Sequence, residues 1–101
     1  MIYSVQQIKF ENFAHIKEFG GDFADWYVGI AADPATVLHQ RHGVHRDDDI
    51  WLFKQGLSFH ACRTVQRYFL ERLGADGAPP EAVDPHLDCV YVYKKSPRTN
   101  P

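Results

Sequence analysis

Helix-like and strand-like segments alternate three times along this chain, and glycine marks most of the changes. Ser4 with Gln7 three residues on forms a capping-box pattern, and Val5, Ile8, Phe13, Ile16 and Phe19 fall near one face of a helix over residues 4–19. Phe10 lies off that stripe, and Gly20-Gly21 ends the segment. The run from Asp25 to Ala32 is rich in aromatic and β-branched residues and predicts a strand. Asp33-Pro34 then supplies an N-cap and a first-turn proline for a short helix that stops at Gly43. A second strand is predicted over Asp49 to Gln55. Ser58 caps a helix from Phe59 to Leu73, closed by Gly74, with Cys62, Val65, Phe69 and Leu73 on its buried face and Arg63, Arg67 and Glu71 on its polar side. After a Gly- and Pro-dense loop, Val90 and Val92 alternate with Tyr91 and Tyr93 in a last strand over Asp88 to Lys94.

The order α-β-α-β-α-β predicts an α/β (α+β) fold: a small, three-stranded, largely antiparallel sheet packed with about three helices. With 101 residues there is room for one core. It divides into an N-terminal helix (1–20), a central region (25–73), a loop (74–87), a C-terminal strand (88–95) and a tail (96–101) expected to fray.

Composition narrows the function classes. A hydrophobic fraction of 45% excludes a disordered chain. No run of apolar residues is long enough to span a membrane, and the first residues lack the basic start and apolar stretch of a signal peptide. Two cysteines, Cys62 and Cys89, are too few for a disulfide framework and suit a reducing compartment, so a cytoplasmic protein is expected. Lys and Arg number 11 against 13 Asp and Glu, a net charge of −2 that gives no overall drive toward duplex DNA. Any nucleic-acid contact must use a local patch. Asp47-Asp48-Asp49 and Lys94-Lys95 with Arg98 read as solvated segments.

Trp26-Tyr27-Val28-Gly29-Ile30, followed by Asp33-Pro34, a short helix with His42-Gly43, a strand at Ile50–Phe53 and a helix ending Tyr68-Phe69-Leu70, resembles the second half of the GIY-YIG nuclease motif over residues 25–72. In that family a small sheet presents two tyrosines which, with a nearby His or Tyr, activate water; an arginine eight residues after the YIG glycine holds the phosphate, and a helical glutamate binds one divalent cation. The resemblance implies that Tyr27, Gly29 and His42 match family positions. Val37 stands where the arginine is carried, and Gln66 where the glutamate is carried. Valine offers no donor to phosphate, and glutamine is a weak ligand for Mg²⁺, which favours carboxylates. Arg41, four residues after Val37, shares its helical face and is a stand-in for the clamp. Glu71 is about 140° around the helix from Gln66 and points elsewhere. The missing GIY strand has a replacement in Val90–Tyr93, which in a permuted sheet would set Tyr91 or Tyr93 beside Tyr27.

His39, His42 and His45 are spaced by three, but Gly43 breaks the helix before His45, so they read as helix-end and loop residues with no metal site. Cys62 falls on an apolar stripe and reads as core. No Gly-rich phosphate loop is present. The expected function is a catalytically degenerate GIY-YIG-like domain, a non-hydrolytic binding or regulatory module of a kind that suits phages or mobile elements. Its partner is a nucleic acid or a protein, and it needs no cofactor. Tyr27, Arg41, His42 and Gln66 occupy the family's catalytic positions, and Gly29, Arg63, Arg67, Tyr91 and Tyr93 are candidates for binding. One alternative is an active endonuclease using Mg²⁺ or Mn²⁺ with a carboxylate from Asp47–Asp49. Another is an unrelated interaction protein that forms a homodimer along the exposed edge of its last strand.

Overall fold

Each helix begins where a side chain catches its first unpaired amides. In the computed structural model, which describes residues 1–101, the Ser4 hydroxyl accepts from Gln7 N–H while the Gln7 side chain accepts from Ser4 N–H, opening α1 (Val5–Phe19). Asp33 accepts from the amide and hydroxyl of Thr36 at the start of α2 (Pro34–Thr36). Ser58 accepts from Ala61 N–H at the start of α3 (Phe59–Arg67). Both later helices widen into a π-turn, Val37–Arg41 and Tyr68–Arg72. Each then stops at a glycine with positive φ, Gly43 at 68° and Gly74 at 82°, where Val44 N–H reaches Leu38 O and Ala75 N–H reaches Phe69 O. A left-handed residue satisfies the last carbonyls in this way.

The domain is α+β, with a mixed sheet of four strands rather than the three expected: β1 (Ile2–Tyr3), β2 (Trp26–Ala31), β3 (Trp51–Gly56) and β4 (Cys89–Lys94), in the order β1-β3-β4-β2. β1 runs parallel to β3, pairing Ile2 with Gln55 and Tyr3 with Gly56. Two residues carry no alternation, so the sequence held no sign of it. β4 is antiparallel to both neighbours, with Tyr93 opposite Tyr27 and Tyr91 opposite Gly29 on one side. This central place leaves the last strand no free edge, which removes the dimerisation edge anticipated there. The outer edge of β2 is closed by Asp76, whose carbonyl accepts from Val28 N–H while its own N–H donates to Trp26 O.

Strand alternation gives the sheet two different faces. Trp26, Val28, Val90 and Val92 point toward α1 and α3 and join Ile8, Ile16, Cys62, Val65 and Phe69 in the larger core. Tyr27, Ala31, Tyr91 and Tyr93 point the other way and pack with Leu38 and Val44. The tail is not frayed. Ser96 and Thr99 close a turn, Arg98 donates to Asp49 at 2.8 Å, and Asn100 N–H donates to His42 O at 2.7 Å. Asp49 and Arg98, expected to be solvated, thus pin the last residues to the loop before β3. No helix is long and apolar enough to cross a membrane.

Candidate functional site

The second face of the sheet carries a buried polar network. β2 supplies Tyr27 and β4 supplies Tyr91 and Tyr93, whose rings stack on Tyr27 at centroid distances of 6.2 and 5.2 Å. Gly29 makes this arrangement possible: a Cβ there would lie 2.3 Å from the Tyr91 hydroxyl oxygen, so only hydrogen fits beneath the ring. His42, just beyond the π-turn, is 3% exposed, and its Nδ1 lies 2.6 Å from the Asn100 carbonyl oxygen. A carbonyl only accepts, so Nδ1 carries the proton, and Tyr93 Oη at 3.1 Å shares it as a second acceptor. Nε2 then bears a lone pair and accepts the Tyr91 hydroxyl proton at 2.8 Å. Burial lowers the pKa of His42 and the nearby Arg41 charge lowers it further, against the opposing pull of the Asn100 carbonyl. The imidazole is a neutral link between tail and sheet.

This network backs a bent groove. One arm is polar and is lined by Tyr27, Arg41, His42, Asp76 and the end of the tail, Asn100-Pro101. The other is mostly apolar, and Tyr27, Arg41 and Ala78 line both arms. The π-turn puts Val37 and Arg41 on the same wall, so the arginine four residues on does reach the place beside valine. Widened turns of this kind recur at functional sites. Arg41 enters no ion pair. Burial raises the Tyr27 pKa, and the Asp76 carboxylate adds to the rise while Arg41 opposes it. Tyr91 and Tyr93 are likewise raised, first by burial and then by their tyrosine neighbours.

Of the residues singled out in the sequence, Tyr27, Arg41 and His42 meet at this groove, with Tyr91 and Tyr93 behind them and Gly29 beneath. Gln66 does not join them. It is fully buried on α3, on the other side of the sheet, where its amide donates to Val28 O and Ala78 O and its carbonyl accepts from Arg63 at 2.9 Å. Arg63 and Arg67 line a second cleft with Phe59 and His60, which meets the apolar arm at Pro80 and Glu81. The three histidines part company as well. His39 Nδ1 binds Val44 O, His42 joins the tyrosines, and His45 pairs with Asp48 at 3.2 Å.

Asp76 and the tail were missed by sequence reasoning. Asp76 carries the carboxylate on the polar arm of the groove, but Lys95 Nζ at 3.1 Å and Gly77 N–H at 2.8 Å already occupy its oxygens. Its sequence signal, Asp76-Gly77 in a loop, is common to many turns. The family's cation needs carboxylate oxygens in near-octahedral array. No three histidine, cysteine or carboxylate side chains are grouped that way. With a neutral amide at position 66 facing carbonyl groups, the residues present do not fit such an ion. Comparison with protein-family models, with curated proteins and with solved structures finds no match in any of the three.

Proposed function

We propose that this chain is a GIY-YIG-like module that holds a nucleic-acid phosphodiester at the Tyr27–Arg41–His42 groove without hydrolysing it. The observation that carries the reading is Arg41, a cation in no ion pair on the groove wall one turn beyond Val37, beside the Tyr27 hydroxyl. A guanidinium in that position matches phosphate geometry. The chemistry around it suits holding rather than cutting. A general base works with a pKa near ambient pH, whereas the hydroxyls of Tyr27, Tyr91 and Tyr93 are all pushed the other way by burial. His42 Nε2 is already engaged by Tyr91.

Fluorescence anisotropy with labelled oligonucleotides, run beside a plasmid-nicking assay in Mg²⁺ and Mn²⁺, tests the proposal. Arg41 is the cation that lines the polar arm, and Lys95 approaches it only as the partner of Asp76. The expected salt dependence is therefore shallow, with a slope of roughly −0.7 to −1.4 for one or two phosphates on a single strand. Arg41→Ala should weaken binding by about tenfold or more, as loss of a charge-assisted hydrogen bond does, and leave the melting temperature unchanged. Unaltered binding by that variant would refute the assignment. So would metal-dependent nicking that disappears in Tyr27→Phe.

A further inference from the structure

We infer that the apolar arm of the groove receives one unpaired nucleobase, so that the preferred ligand is single-stranded nucleic acid bearing an exocyclic amine at that base. This rests on the reading of the groove as a phosphodiester site and adds what the ligand must be. The arm is a cavity of about 500 Å³ walled by Ala32, Val37, Pro79, Pro80, Leu87 and the Tyr91 ring. That size lies within the roughly 300–1,000 Å³ typical of small-molecule sites. Arg41 and Tyr27 line both arms, so a phosphate on Arg41 stands at the junction, and the base it carries is one sugar away from the apolar walls. Such walls suit the flat apolar faces of a base.

Two carboxylates line the same arm. Asp33 is occupied by the amide and hydroxyl of Thr36, whereas Glu81 is in no ion pair. Glu81 is thus an acceptor for an amine such as cytosine N4. A paired base would have to leave its stack to enter, which weakens duplex binding, while a single strand offers the base already exposed. The chain also lacks the net positive charge (its own is −2) with which proteins track a duplex by its phosphates.

The test is anisotropy of the whole chain against four labelled probes of equal length: oligo-dC, oligo-dT, an abasic strand and a duplex. Oligo-dC should bind about tenfold or more tighter than the abasic strand or the duplex, the scale on which a stacked base contributes, and tighter than oligo-dT. Ala32→Phe, a change at an exposed position, should fill the arm and level oligo-dC with the abasic strand while leaving abasic binding intact. Glu81→Gln should remove the preference for oligo-dC over oligo-dT. Equal affinity for oligo-dC, the abasic strand and the duplex, or a base preference that survives Ala32→Phe, would overturn the inference and leave the phosphodiester reading standing. Failure to bind all four would instead defeat that reading.

Discussion

Gly29→Ala is expected to be costly although it adds one methyl group to a strand. The new Cβ would sit 2.3 Å from both Cζ and the hydroxyl oxygen of Tyr91 and 2.6 Å from its Cε1, so the ring must move. Tyr91 is 4% exposed, and moving it breaks its bond to His42 Nε2. Overpacking of a core of this kind costs roughly 1–3 kcal/mol, and the lost buried hydrogen bond about 1 kcal/mol more. Against this, replacing glycine stiffens the unfolded chain and returns roughly 0.4–1 kcal/mol. The net loss is about 2 kcal/mol, or on the order of 10 °C in melting temperature for a domain of this size. Urea melts of wild type, Gly29→Ala, Tyr91→Ala and the double variant form the assay. Removing the ring removes the clash, so the alanine at 29 should cost almost nothing in the Tyr91→Ala background. Additive losses in that cycle, or a Gly29→Ala protein as stable as wild type, would show that the glycine is not there to seat the tyrosine.

Gln66→Glu should lower stability by about 2–4 kcal/mol at neutral pH, because a carboxylate oxygen would face the two carbonyls that the amide now satisfies. The loss should shrink as pH falls toward 4, where the carboxyl is neutral, and no Mg²⁺-dependent nicking should appear. Equal stability in urea melts would mean the side chain is not lodged between those carbonyls. His42 and His15 both have pKa values lowered by burial. The unfolded chain therefore takes up protons first as pH drops below about 6.5, and stability present above that value is lost on the way down. Melting curves between pH 8 and 5 should fall on the acid side, less steeply in His15→Gln, and a level profile would contradict the burial of both rings. Burial pushes the thiols of Cys62 and Cys89 up to about 11. Native protein should react with a disulfide reagent at pH 8 roughly a hundredfold more slowly than unfolded protein, and equal rates would refute it.

The signals that survived translation into structure are local ones. Ser4, Asp33 and Ser58 each cap a helix within three residues of themselves, and Gly43 and Gly74 end helices through their own φ. Alternation in Val90–Tyr93 located β4, because a strand between two neighbours must bury both faces. What escaped depends on contacts made at a distance. The tail looked frayed because two prolines suggest it, yet Asn100 brackets His42, 58 positions away, with an accepted and a donated bond. β1 is too short for any periodicity and exists because β3 offers it an edge. Asp76 lies in a stretch whose glycines and prolines announce only a loop, and its importance comes from the unpaired edge of β2 that it closes.

Gln66 shows why a motif position need not carry a site with it. Successive residues of a strand face opposite ways, so Tyr27 and Gly29 turn toward the groove while Trp26 and Val28 turn toward α3. A side chain on α3 can influence the groove only around the outer edge of β2, and Asp76 occupies that edge with two backbone hydrogen bonds. Gln66 reaches as far as Val28 O and Ala78 O and goes no further, so it acts on the groove through the 76–78 turn that it supports from behind. The same turn brings Asp76, which Lys95 pairs, and the Ala78 wall to the front. A carboxylate restored at position 66 would therefore strain that support without entering the cleft. Charge at the groove is set by Arg41, Asp76, Asp33 and Glu81, and it is at these residues, rather than at position 66, that a change of charge should register in ligand binding.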